Sequence, residues 1–375
     1  MSSRSISGML RDIAAGLILA VAGCGSAAET QVASPASPAP PSIAPTPTAA
    51  PSEPLPTAVP TTPAASATPV ISAWRKLDVD GPSAREDHTW TLDPQTRTAY
   101  LFGGRDGSTV RRDLWAFDLA TETWRELDPD GPGPAARFGH EAVWVDGVGV
   151  VVWAGQAGPT EFFDDLWAYD PTTNSWGRLP NDGARPVARY GSCSAVGQDG
   201  RLWISHGFTE DGVRFSDTRA YDFKAGSWSD ETPDGEQPVV RCLHACWLTA
   251  EGDLALYAGQ TTGVRALGDL WALGAGKWAR IDGDLPADRN LPAVTRHGDD
   301  AVIFGGFGLD GDYLRDVYWV DGTTLAFEPL RPEGTRPPAR AGAALVDDPG
   351  GSRILLFGGT ASGGAFADLW ELTSP

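Results

Sequence analysis

Six arginines, Arg85, Arg137, Arg189, Arg241, Arg289 and Arg340, recur about fifty residues apart. A guanidinium offers a planar fork of N–H donors that suits bidentate recognition of carboxylates. Arranged in a ring, six of them would make a positive funnel for an acidic ligand. A residue present in every unit also has a simpler use, which is to hold the unit together. Three histidines keep the same beat, with His88, His140 and His244 each three residues after an Arg. A metal site needs ligands converging on one point, and a ring disperses these, so they are expected as satisfied inner residues. His206 breaks the pattern. It replaces a small residue in the third unit, where Thr218-Arg219 also replaces Leu-Trp and Ser192 replaces the inner His. Departures from a local rule mark candidate sites, so His206 joins the six arginines as a candidate ligand-facing residue. The sequence carries no nucleophile elbow, zinc-protease motif, phosphate-binding loop, Cys-x-x-Cys pair or calcium loop. No metal and no cofactor are expected.

The elements that must position these residues follow from the rest of the repeat. Asp113-Leu114-Trp115-Ala116-Phe117-Asp118 precedes Trp124, and Asp165-Leu166-Trp167-Ala168-Tyr169-Asp170 precedes Trp176. Looser copies begin at Asp217, Asp269, Asp316 and Asp368. An apolar run ending in Gly-Gly, or in a small residue or His before Gly, comes before each copy, as at Phe102-Gly103-Gly104 and Phe357-Gly358-Gly359. Strand-length apolar runs with Gly punctuation, at this period and with no helical periodicity, read as four-stranded blades. The double Gly, the Asp-Leu-Trp-x-Tyr-Asp phrase and the following Trp-x-x-Leu resemble kelch repeats over residues 73–375. The resemblance implies an all-β, six-bladed propeller. In kelch proteins the D–A and B–C loops form the usual binding face. Here the B–C loops, such as 105–112 and 208–216, are long and varied, as specificity-bearing loops are. The apolar residues two before the Asp in five of the six units (Phe163, Phe215, Leu267, Leu314, Phe366) are expected as loop anchors.

Closure of the ring is also legible. Strands A, B and C occur six times between Arg85 and Leu372, but an outer D strand is missing after the last C strand. A spare D strand, Trp74-Arg75-Lys76-Leu77, stands ahead of the first A strand. It is expected to complete the sixth blade and leave no long open edge.

Upstream, Arg4 and Arg11 precede the apolar run 13–22, which is too short to span a membrane and reads as a signal peptide over residues 1–23. It ends in Val21-Ala22-Gly23-Cys24, which resembles a bacterial lipobox. The resemblance implies cleavage before Cys24 and acylation of that residue, an anchor of several chains. Residues 24–72 are a Pro/Ala/Ser/Thr-rich linker, expected to be a disordered spacer. The net charge of −20 falls almost wholly after residue 72 and argues against nucleic acid or anionic lipid as partners.

The remaining cysteines, Cys193, Cys242 and Cys246, would then lie in an oxidising compartment. Cys193 is four residues after its Arg and Cys246 five after its own. Side chains alternate along a strand, so these two face one another across blades 3 and 4 and form the expected disulfide. Buried free thiols are the alternative.

The functional expectation is a monomeric, lipid-anchored extracytoplasmic propeller that binds protein or carbohydrate on the D–A/B–C face. One alternative is a sugar enzyme at the channel mouth. Sialic acid mutarotase and galactose oxidase share the kelch ring, although no counterpart of the latter's Tyr–Cys cofactor is found here. The other alternative is a structural envelope component.

Overall fold

The computed structural model describes residues 73–350 and 352–373. The expected signal peptide, the Cys24 attachment site and the linker lie outside them. The described residues form six sheets, each built on four antiparallel strands and three of them carrying a short fifth, together with two small two-stranded hairpins. The inner A strands are Thr89–Asp93, Glu141–Val145, Cys193–Val196, Ala245–Leu248, Ala293–His297 and Ala341–Asp348. The B strands are Thr98–Phe102, Gly149–Trp153, Leu202–Ser205, Leu254–Tyr257, Asp300–Gly308 and Arg353–Ala361. The C strands are Leu114–Asp118, Leu166–Asp170, Thr218–Asp222, Leu270–Gly274, Tyr313–Val320 and Leu369–Thr373. The D strands are Thr123–Leu127, Ser175–Arg178, Ser227–Asp230, Lys277–Ile281, Phe327–Leu330 and, for the sixth blade, Ala73–Leu77.

Each B strand is sandwiched between two neighbouring blades, so both of its faces are apolar. Val150, Val151 and Val152 are fully buried. Aromatic side chains fill the wedges between blades. Phe357 of blade 6 lies 5.3 Å from Trp124 and 6.2 Å from Trp90 of blade 1, and those two indoles stack at 5.4 Å. Burying a side chain of this size contributes about 2–3 kcal/mol. The second Asp of the repeated phrase shapes the C–D turn. Asp118 accepts the N–H groups of Ala120 and Thr121, and Asp222 those of Lys224 and Ala225.

The ring closes as expected. Trp74 pairs with Leu372 and Leu77 with Leu369, antiparallel. Trp74 then reaches Phe304 of blade 5, 5.6 Å away. Charge reinforces the seam on the opposite, A–B/C–D side. Arg353 bonds Asp348 and Glu371 at 3.0 Å each and also Glu122 of blade 1. Arg75 of the closing strand bonds Glu371 at 2.5 Å, and Arg97 of blade 1 bonds Asp348 at 2.8 Å.

Candidate functional site

The six arginines do not form a ligand funnel. All six side chains are fully buried. Each gives two bonds of 2.6–3.1 Å to the Asp that opens its own blade's C strand, in the pairs Arg85–Asp113, Arg137–Asp165, Arg189–Asp217, Arg241–Asp269, Arg289–Asp316 and Arg340–Asp368. A further N–H reaches the carbonyl of the first residue of the Gly pair at 2.8–3.0 Å. Phe163, Phe215 and Phe366 lie under three of the guanidiniums at 4.0–4.1 Å, so these loop anchors hold as expected. The backbone carbonyl of each Arg accepts from the second Gly of the preceding blade, as Gly104 does to Arg137 at 2.9 Å. Each Arg therefore ties its own B–C loop together and joins two blades. Burial would raise the paired carboxyls, but the Arg bonds hold Asp113, Asp165, Asp217, Asp269 and Asp368 below the ordinary range.

Two residues after each Arg the backbone turns left-handed, at Asp87, Gly139, Gly191, Leu243, Leu291 and Gly342, with φ between 51° and 63°. These six residues form a closed circuit of backbone hydrogen bonds. Asp87 N–H donates to Gly342, Gly342 to Leu291, Leu291 to Leu243, Leu243 to Gly191, Gly191 to Gly139 and Gly139 to Asp87, at 2.8–3.1 Å. The circuit narrows the channel mouth to backbone, and neighbouring side chains cover the glycines. A Cβ on Gly139 would lie 1.9 Å from the Tyr190 ring. Tyr190 Oη donates to Asp87 Oδ2 at 3.2 Å. Arg105 pairs with Glu86 at 3.1 Å and Asp87 at 3.4 Å and lies 4.2 Å over Phe138. Burial and the neighbouring Asp87 push the Glu86 carboxyl up to about 7. This acid pair is held within the protein, the Asp87 side chain being only 1% exposed.

The inner histidines pack as structural residues. His88 and His140 sit edge-on to Phe357 and Phe102 of the preceding blade, at 5.6 and 5.3 Å. His206 is not ligand-facing either. It is fully buried, its Nδ1 is 2.7 Å from Ser205 Oγ, and its ring meets His244 edge-on at 5.5 Å. Burial holds both His88 and His206 at about 3, hence neutral. Among the described residues no three His, Cys, Asp or Glu side chains gather as a metal site. Cys193 and Cys246 are joined as a disulfide, with Cα atoms 5.8 Å apart. Cys242 is a buried free thiol, 3.6 Å from Gln260 Nε2, and burial pushes its pKa up.

What sequence reasoning missed is an apolar band. Among the described residues, the most exposed large apolar side chains are Val187, Val213, Val239, Val240, Val264 and Leu309, between 39% and 56% exposed. All lie on D–A or B–C loops of blades 3 to 5, hence on one face. Side chains and backbone bind these loops together. Arg214 donates to Thr262 at 3.3 Å, and Thr261 donates to the Val240 carbonyl and pairs with Val264. The signal was present in the isolated Val residues of otherwise polar loops.

A ring of six such blades, with its arginine nodes buried, defines a propeller scaffold that presents variable loops. The chain matches the KLHDC2/KLHL20/DRC7 Kelch-repeats domain over residues 68–259, and it belongs to the kelch-repeat family. It is 26% identical over 209 residues to the Rab9 effector protein with kelch motifs of Xenopus laevis, covering 53% of this chain and 57% of that protein. It is 24% identical over 324 residues to the Leucine-zipper-like transcriptional regulator 1 homolog of Drosophila melanogaster, covering 76% of this chain and 32% of that one. With Multiple epidermal growth factor-like domains protein 8 of Mus musculus it shares 25% over 306 residues, 73% of this chain and 11% of that protein. The chain thus spans less than two thirds of each relative. The kelch propeller is in general a protein-interaction module.

Proposed function

We propose that this chain is a lipid-anchored extracytoplasmic propeller that binds a partner protein through the D–A/B–C face of blades 3 to 5. The observation that carries this reading is the concentration of exposed aliphatic side chains on those loops, since apolar groups gathered on one face mark interaction surfaces. Sugar rings stack on exposed aromatic faces, and the exposed groups here are aliphatic, which favours protein over glycan. The compartment is supported by Val21-Ala22-Gly23-Cys24 and by the Cys193–Cys246 bridge, a bond that persists in oxidising surroundings.

The test is capture of partners from an envelope extract by the wild-type chain and by Val240→Asp/Val264→Asp. Partners retained by wild type and lost by the variant are expected; an unchanged set would sink the reading. Fatty-acid labelling that persists in Cys24→Ala would refute the anchor.

A further inference from the structure

The chain carries 49 acidic against 29 basic residues, yet three arginines gather at one outer edge of the ring. Arg315, Arg331 and Arg336 line a cavity of about 200 Å³ where blade 5 meets blade 6, over an apolar floor that includes Trp74, Val317 and Leu330. None of the three makes an ion pair or hydrogen bond to another described residue. The carboxylate on the cavity wall, Asp316, is already committed through both oxygens to Arg289, at 2.8 and 2.9 Å. Three cations beside one small cavity repel one another, and nothing in the blade's own packing requires them.

The cavity has a local origin. Four residues before the blade Arg, the D–A loop of blades 1 and 2 carries Gly81 and Gly133. There the backbone lies flat on the outer-strand indole, and a Cβ would come within 2.4 Å of Trp124 or 2.8 Å of Trp176. In blade 6 that position is Arg336, the corresponding indole is Trp74, and the cavity opens between loop and ring. A bridge between Ala73 and Glu333 fixes the same loop to the closing strand.

We propose that this cleft binds an oxyanion group, a carboxylate, phosphate or sulfate carried by a ligand. Guanidiniums stay charged throughout the neutral range and offer paired N–H donors to such oxygens. The volume is below the roughly 300–1,000 Å³ of pockets for drug-sized molecules, so it takes the charged group rather than a whole ligand. The site is separate from the aliphatic band of blades 3 to 5 and stands without it.

Thermal unfolding and calorimetric titration of the full chain test the proposal, with sodium phosphate, sulfate and acetate compared against chloride at matched ionic strength. Phosphate and sulfate stabilise folded proteins generally, so the decisive quantity is the difference between wild type and Arg331→Gln/Arg336→Gln. The expected result is a saturable rise in Tm of a few degrees and measurable heat for at least one oxyanion. Both should be lost in that variant and kept in Arg296→Gln, which changes an arginine on the opposite loop side. Equal Tm rises in wild type and the cleft variant, or no saturable heat with any of the three anions, would overturn it. The arms separate the chemistries, because acetate alone acting specifies a carboxylate, and phosphate or sulfate acting specifies a tetrahedral group.

Discussion

Arg340 and Arg336 stand four residues apart on one loop and are treated in opposite ways. Arg340 is fully buried, bonded twice to Asp368 and once to the Gly358 carbonyl, and stacked 4.0 Å over Phe366. Arg336 is exposed and unpaired among the described residues, beside two more cations. The first recurs in all six blades and serves the blade. The second stands where blades 1 and 2 have Gly and blade 3 has Arg185, which pairs with Asp164 at 3.3 Å. In a repeat protein the arginine worth testing for binding is the one left without a partner.

The change that disturbs both halves of this contrast is deletion of residues 73–77. It removes Trp74 from beneath Arg336 and bares the strand edge of the blade that Arg340 ties together. Loss of the folded monomer and aggregation are expected, read by size-exclusion chromatography; a monomeric product with native circular dichroism would contradict the closure account. Next in size is Arg340→Ala. Removing one partner of a buried ion pair costs about 3–5 kcal/mol, to be measured by denaturant unfolding, and a loss near zero would return Arg340 to the ligand-binding candidates.

Glu141 sharpens the contrast from a third direction, as a carboxyl group that accepts the Ser194 hydroxyl, 3.0 Å away. Burial pushes its pKa up to about 8 from 4.5. The folded chain then holds a proton that the unfolded chain releases, so stability falls as pH rises from about 4.5 to about 8. Glu141→Gln should be more stable than wild type at pH 8. The gain should fade toward pH 5. A gain independent of pH would show that the carboxyl is not the cause. The smallest effect is expected for Arg336→Ala, within about 0.5 kcal/mol of wild type. A loss comparable to that of Arg340→Ala would erase the distinction.

Fold and closure were legible because the repeat states its rule six times, and the missing last D strand could be matched to the spare one at residues 74–77. The Cys193–Cys246 pairing was legible from strand parity together with the nearly equal distance of the two residues from their blade arginines, which Cys242 lacks. The Arg–Asp node was legible in principle, since Asp113, Asp165 and the other opening aspartates keep nearly constant distance from their arginines. The sequence leaves funnel and structural node both open, because a period shows that residues recur and not which way their side chains turn. His206 misled for the same reason, as its unusual position faces His244 rather than solvent. The aliphatic band and the arginine cleft depend on loops of different blades lying side by side. Only the three-dimensional arrangement brings Arg214 to Thr262, or Arg336 to the cavity that Trp74 lines.

The closing strand has a mechanical consequence. Any pull arriving along the chain from residue 72 enters the ring at Ala73, directly opposite Thr373. It loads that pair first and then Arg75, which is clamped to Glu371. Forced unfolding is set by a rate rather than by equilibrium stability, so the lifetime of the ring under tension rests on this latch. The other five blades, each continuous in sequence through strands A to D, are shielded from the pull until the latch gives way.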